Sequence, residues 1–180
     1  MKIDIARQPL VPAFMTLFAL AVAAMCAGIP VSDTSGAVRD ALPLLGGQLA
    51  RFQAAYPVWS KFAAGFMLLF TGMCAGRITI RYNLYTVGTC LPIPLYAIVA
   101  CGIATGGNYL AGFAASMLLA LATKNYCRAF CNGYGFDAIF RASLYLGLMP
   151  LVYAPALPLL LLLPLAVLLF RRTFREVVVA

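Results

Sequence analysis

The chain has 180 residues, 64% hydrophobic and 10% charged, with a formal net charge of +8. A soluble domain carries about 25% charged and 45–50% apolar residues, so a water-facing globule of this composition lacks the polar material to cover its own apolar surface. The basic residues are spread between apolar runs, which excludes a concentrated nucleic-acid-binding face and fits anchoring at a membrane surface, and there is no histidine, so the commonest general base, metal ligand and haem ligand is missing.

The expected fold class is all-α: a polytopic transmembrane bundle of six helices in one domain, residues 1–180. The first apolar stretch, residues 10–31, is long enough for a span of about 20 residues. A cleaved signal peptide competes, because the start is basic and small residues stand at Ala27 and Gly28. The length of the run and Asp4 before it favour a retained helix.

A long outer loop, residues 32–60, comes next. It opens on the turn chemistry of Ser32-Asp33-Thr34-Ser35-Gly36. Leu42, Leu44, Leu45, Leu49 and Phe52 then recur at near-helical spacing, while Pro43 and Gly46-Gly47 interrupt any long helix. An amphipathic helix on the outer interface and a short helix packed on the bundle both fit.

The second stretch, residues 62–76, covers roughly 22 Å against a ~30 Å hydrocarbon core. Lys61 reaching outward and the 56–59 segment can extend it. Gly72 and Gly76 form a GxxxG pair here. The third stretch, residues 82–104, holds Pro92 and Pro94, which predict a kink, and ends in a second pair, Gly102 and Gly106. In the fourth, residues 108–123, Gly112, Ser116 and Ala120 repeat small residues every four positions. Such spacing lets helix backbones approach closely, within one bundle or between copies.

Residues 124–141 are the densest polar and aromatic part. Asp137 is the only acid between Asp40 and Glu176, and Asp137 and Arg141 share a helix face. Three readings stand: an interfacial loop leading into a helix start, a buried pair that fixes register, and a proton- or substrate-linked site. Cys127 and Cys131 lack the partners of a zinc site and read as free thiols. The fifth and sixth stretches, residues 142–154 and 155–170, abut near Pro155. They fit either a tight hairpin or one broken helix.

Counting basic residues in the loops places both termini in the cytoplasm. The inner side then holds Lys2, Arg7, Arg77, Arg81, Lys124, Arg128, Arg141, Arg171, Arg172 and Arg175, and the outer side only Arg39, Arg51 and Lys61. No catalytic motif, carboxylate cluster, cofactor site or metal site is legible.

At Gly133-Tyr134-Gly135-Phe136-Asp137 through Arg141, and at the Arg171–Glu176 tail, the chain resembles an uncharacterised family of multi-pass inner-membrane proteins from Bacteroidota. That resemblance implies a bacterial inner-membrane location and a longer protein of which this chain is the front part, and it brings no activity. The expected function is a non-catalytic subunit or scaffold of an envelope or transport complex, with the lipid bilayer, other membrane subunits or a second copy as partners. The alternative is a stand-alone small-solute carrier coupled through Asp137 and Arg141.

Overall fold

The computed structural model describes residues 10–26, 43–82, 90–104, 108–131 and 136–162. They form six α-helices, one 3₁₀ helix and no strand: α1 (Leu10–Cys26), α2 (Leu44–Ala55), α3 (Pro57–Arg81), α4 (Pro92–Ala104), α5 (Tyr109–Cys131), α6 (Phe136–Val152) and the 3₁₀ helix Ala154–Leu161.

The helix ends differ from the ends of the apolar runs. The second run stops before Arg77, yet α3 begins at Pro57 and continues through Arg81. Pro57 suits a first helical position because its missing N–H would have no partner there. Arg81 suits the last turn, where a cation meets the negative end of the helix dipole. In the same way α5 continues past residue 123 through Lys124 and Arg128 to Cys131, and α6 begins at Phe136, not at residue 142. A charged side chain ends a run of hydropathy without ending a helix. Inside the expected outer loop, α2 runs across Gly46-Gly47.

Proline placement explains two further differences. The third run was expected to be one kinked helix over residues 82–104; instead Tyr82 closes α3, and Pro92 and Pro94 stand in the first turn of α4. The first four amides of a helix have no intrahelical acceptor, so two prolines there start the helix without bending it. Pro150 lies two residues before the end of α6, and Tyr153 is extended (φ −142°, ψ 102°). The helix therefore breaks at Tyr153. The 3₁₀ helix then packs Ala156, Leu159 and Leu160 against the α5–α6 cluster around Leu146 and Met149. Residues 163–170 and the Arg171–Glu176 tail lie outside the described residues, as does Gly106.

Helix directions follow from the contacts. Ser60 meets Tyr109 near the start of α3 and of α5, and Arg77 and Lys124 line one cavity further along both, so α3 and α5 run parallel. Met25 faces Gly65 and Leu17 faces Gly72, so α1 runs antiparallel to α3. Ile93 faces Gly76 and Tyr96 faces Gly72, so α4 is antiparallel to α3 as well. Ala129 clusters with Ala138 and Ile139, which pairs the end of α5 with the start of α6.

One end of the bundle thus gathers Arg77, Arg81, Lys124, Arg128, Asp137 and Arg141. The opposite end carries α2, with Arg51, and the start of α3, with Lys61. There α2 seals the start of α5: the amide of Leu110 donates to Gln53 Oε1 at 3.4 Å, covering one of the donors that a helix start leaves without a backbone acceptor.

The core sits where α1, α3, α4 and α5 meet, around Leu17, Leu68, Ile93, Leu110 and Phe113. Alanine is the commonest buried apolar residue among those described. Many larger apolar side chains point outward. On α3, Leu68 is 0% exposed, while Phe62, Phe66, Phe70 and Met73 form an exposed stripe of which Phe66 is 67% exposed. By length and composition α3 is long and apolar enough to cross a membrane; the 10–23 part of α1 is a shorter apolar helix.

Space at the glycines makes a test. A Cβ at Gly72 would come within 2.7 Å of Leu17 Cδ2, and one at Gly76 within 2.6 Å of Ile93 Cγ1, whereas one at Gly147 would meet nothing within 4 Å. Gly72→Leu is expected to lower stability by about 2 kcal/mol or more through overpacking. Gly147→Ala is expected to raise it by up to about 1 kcal/mol through helix propensity. Thermal midpoints of the two purified variants in one detergent check the contrast.

Candidate functional site

Among the described residues two hydroxyl pairs link helices within the bundle. Ser60 Oγ donates to the Pro57 carbonyl at 2.8 Å and lies 2.6 Å from the Tyr109 hydroxyl. A serine hydroxyl has one hydrogen, so the Tyr109 O–H is the donor to Ser60. Ser116 repeats this arrangement: it donates to the Phe113 carbonyl at 2.8 Å and receives the Tyr96 hydroxyl at 3.2 Å. Thr71 lies close enough to Tyr96 to act on it electrostatically, but its buried hydroxyl makes no well-formed hydrogen bond. These residues tie α3, α4 and α5 together. They carry no acid or base and read as registration bonds.

The other feature is a half-open cavity of about 700 Å³ at the end of the bundle that gathers the basic residues. Its walls come from α1, α3, α4 and α5. Arg77 and Arg81 from the last turns of α3 and Lys124 from α5 supply three cations, while Phe70, Met73 and Ile93 supply apolar surface. Its volume falls in the range of about 300–1,000 Å³ that suits small-molecule sites. No acidic side chain lines it among the described residues. Arg77 and Arg81 stand four apart on one helix, where like charges repel, and Lys124 adds a third charge of the same sign. The α3 C-terminus offsets part of this repulsion with its negative dipole end. Chemically, the arrangement accepts an anion at the mouth and apolar matter beneath it.

The residues singled out in sequence separate into different places. Asp137 and Arg141 form an ion pair at 3.1 Å, both largely exposed, in the first turns of α6. They lie outside the cavity and outside the core. Their arrangement is that of a helix start, with Asp137 in the first turn at the positive end of the α6 dipole. Gly72 and Gly76 are buried against α1 and α4. Gly112 and Ala120 are half-buried on α5 with Ser116, and Gly102 lies in α4. Arg128 is exposed and does not line the cavity. Arg171, Arg172 and Arg175 lie outside the described residues. Cys26, Cys74 and Cys90 are free thiols.

Sequence reasoning missed the cavity. The pair Arg77 and Arg81 was visible as topology anchors sharing one face of an apolar helix. What brings Lys124 beside them is the parallel run of α3 and α5, which no local pattern encodes. Compared with family models, with curated proteins and with solved structures, the chain matches none.

Two outcomes are expected. Ser60→Ala leaves the buried Tyr109 hydroxyl without its acceptor and is expected to cost about 1–3 kcal/mol, more than Tyr109→Phe, which leaves Ser60 bonded to Pro57. Asp137→Ala removes an exposed pair and is expected to change stability by about 0.5 kcal/mol or less. Unfolding midpoints of the three variants check both; equal losses at Ser60 and Asp137 contradict this reading.

Proposed function

We propose that the protein is a multi-pass integral membrane protein of a bacterial inner membrane, its basic end in the cytoplasm, and that it serves as a non-catalytic subunit or scaffold of an envelope or transport complex. The carrying observation is the placement of side-chain size: alanine is the commonest buried apolar residue among those described, with glycines at the tightest helix contacts, while many large apolar side chains, among them Phe62, Phe66, Leu95, Ile98 and Val99, are exposed. In water that placement is unfavourable, because burial of large apolar side chains drives folding. In lipid the outer face is solvated by acyl chains, and helices associate through small residues that permit close approach.

Three further observations support the reading. α3, with 25 residues, extends about 37 Å, enough to cross a ~30 Å core with some tilt. Tyr56 and Trp59 are exposed at its start, the place for an interfacial aromatic belt. Of the seven described basic residues, five (Arg77, Arg81, Lys124, Arg128 and Arg141) collect at the opposite end of the helix and two (Arg51 and Lys61) at its start, in the sense of the positive-inside rule.

The subunit reading is favoured over a carrier by the placement of ionisable groups. Among the described residues the buried polar side chains, Gln53, Ser60, Thr71, Thr79 and Ser143, are all neutral. Coupled transport ordinarily places an ionisable group at membrane depth, whereas Asp137 and Arg141 stand on the surface of one end.

The test uses Arg51→Cys and Arg128→Cys, each in a background whose six cysteines are replaced by alanine. After alkaline washing both variants should remain in the membrane pellet. A membrane-impermeant maleimide should label the first in intact cells and the second only in inside-out vesicles. Release into the wash, or labelling of both from one side, contradicts the topology. Native mass spectrometry after gentle extraction should then retain a stoichiometric protein partner; a lone chain carrying a small solute favours the carrier.

A further inference from the structure

We propose that the cavity between α1, α3, α4 and α5 is a binding site for an anionic phospholipid, with Arg77, Arg81 and Lys124 on the phosphate and Phe70 and Met73 against the acyl chains. This rests on the membrane reading above and assigns that protein a specific lipid.

The argument starts from the distribution of polarity along one helix. Arg81 and Phe70 both line the cavity and stand eleven residues apart on α3, which is roughly 16 Å of rise. On α3 the cations Arg77 and Arg81 lie toward the helix end, and Phe70 and Met73 deeper. An anionic lipid carries the same gradient over a similar length, from charged phosphate to hydrocarbon. A free inorganic anion matches only the mouth and makes no contact with Phe70 and Met73, both partly exposed. A neutral lipid matches only the depth and leaves three like charges uncompensated.

The chemistry of the three cations fits phosphate. Arginine presents a planar fork of donors that engages two phosphate oxygens at once, and lysine adds a point charge with freely rotating donors. Two arginines four apart on one helix, joined by a lysine from a second helix, give donors from two directions. Repulsion between the cations, which the α3 dipole only partly offsets, is relieved when an anion sits among them. The cavity volume of about 700 Å³ takes a headgroup with the upper part of its chains, and the open side lets the remainder lie in the surrounding bilayer. A surface that merely orients the protein needs basic residues but no hollow between them. Arg128 and Arg141 supply the comparison: they stand at the same end, exposed, and outside the cavity.

The experiment is native mass spectrometry of the full chain in detergent with equal amounts of phosphatidylglycerol and phosphatidylcholine. The wild-type chain is expected to retain the anionic lipid by about tenfold over the zwitterionic one. The triple variant R77Q/R81Q/K124Q should bring that ratio close to one, and R128Q/R141Q should leave it near the wild-type value. Met73→Trp, which fills the apolar part, should lower anionic-lipid occupancy with all charges in place. Millimolar inorganic phosphate should not displace the lipid.

A wild-type ratio near one, a triple variant that keeps the preference, or a double variant that loses it equally overturns the site. Displacement by phosphate overturns the lipid assignment in favour of a soluble anion. Alkaline washing of the same variants keeps the two levels apart. A chain that stays in the membrane pellet without lipid preference refutes the cavity assignment alone, while a chain released from the membrane refutes the topology beneath it.

Discussion

The close approach of α1 and α4 to α3 at Gly65, Gly72 and Gly76 is the constraint from which the rest of the structure follows. A Cβ at any of these positions would overlap Met25, Leu17 or Ile93, so glycine lets those side chains lie directly on the α3 backbone. Alanines fill much of the remaining space, around a few large side chains such as Leu17, Leu68, Ile93 and Phe113. The face of α3 turned away from these contacts carries the exposed stripe of Phe62, Phe66, Phe70 and Met73. The hydroxyl contacts of Ser60 and Tyr96 across helices belong to it too, since such side chains pair only when the helices are near.

The same packing fixes which ends meet. Because α1 and α4 lie antiparallel on α3 and α5 runs parallel to it, the ends of α3 and α5 lie together. Their last turns carry Arg81 and Arg128, each favourable against a helix C-terminus. The clustering of charge at one end thus has a local cause at each helix and a collective effect on the whole bundle. A charge gradient of this kind orients a helical protein in a bilayer, and the hollow left among Arg77, Arg81 and Lys124 adds an electrostatic well to it.

Much of the all-α architecture was legible from periodicity and composition, and the close-packing role of Gly72 and Gly76 from their spacing. Helix limits were not. Hydropathy drops at Arg77 and at Lys124, but helix propensity does not, because arginine and lysine are good helix formers and suit C-terminal turns. Pro92 and Pro94 read as a kink because their position relative to the helix start cannot be seen in an apolar run. Asp137 and Arg141 were placed together correctly by their spacing, but depth is a tertiary property, and the structure puts the pair on the surface. The cavity was illegible for the same reason: its cations belong to two helices whose relative direction is set by Ser60, Tyr109 and the intervening α4.

The central claim is that the outward aromatic stripe of α3 faces hydrocarbon. Trp59 is the only tryptophan in the chain, so the double variant Trp59→Phe with Phe66→Trp places a single fluorophore in mid-stripe. Its emission would be read in vesicles whose acyl chains carry bromine near the bilayer centre, with an aqueous quencher added separately. The account predicts blue-shifted emission, strong quenching by the brominated chains and little by the aqueous quencher. Red-shifted emission quenched from water and indifferent to bromine would mean that the stripe faces solvent or a soluble partner, and the membrane reading would be lost.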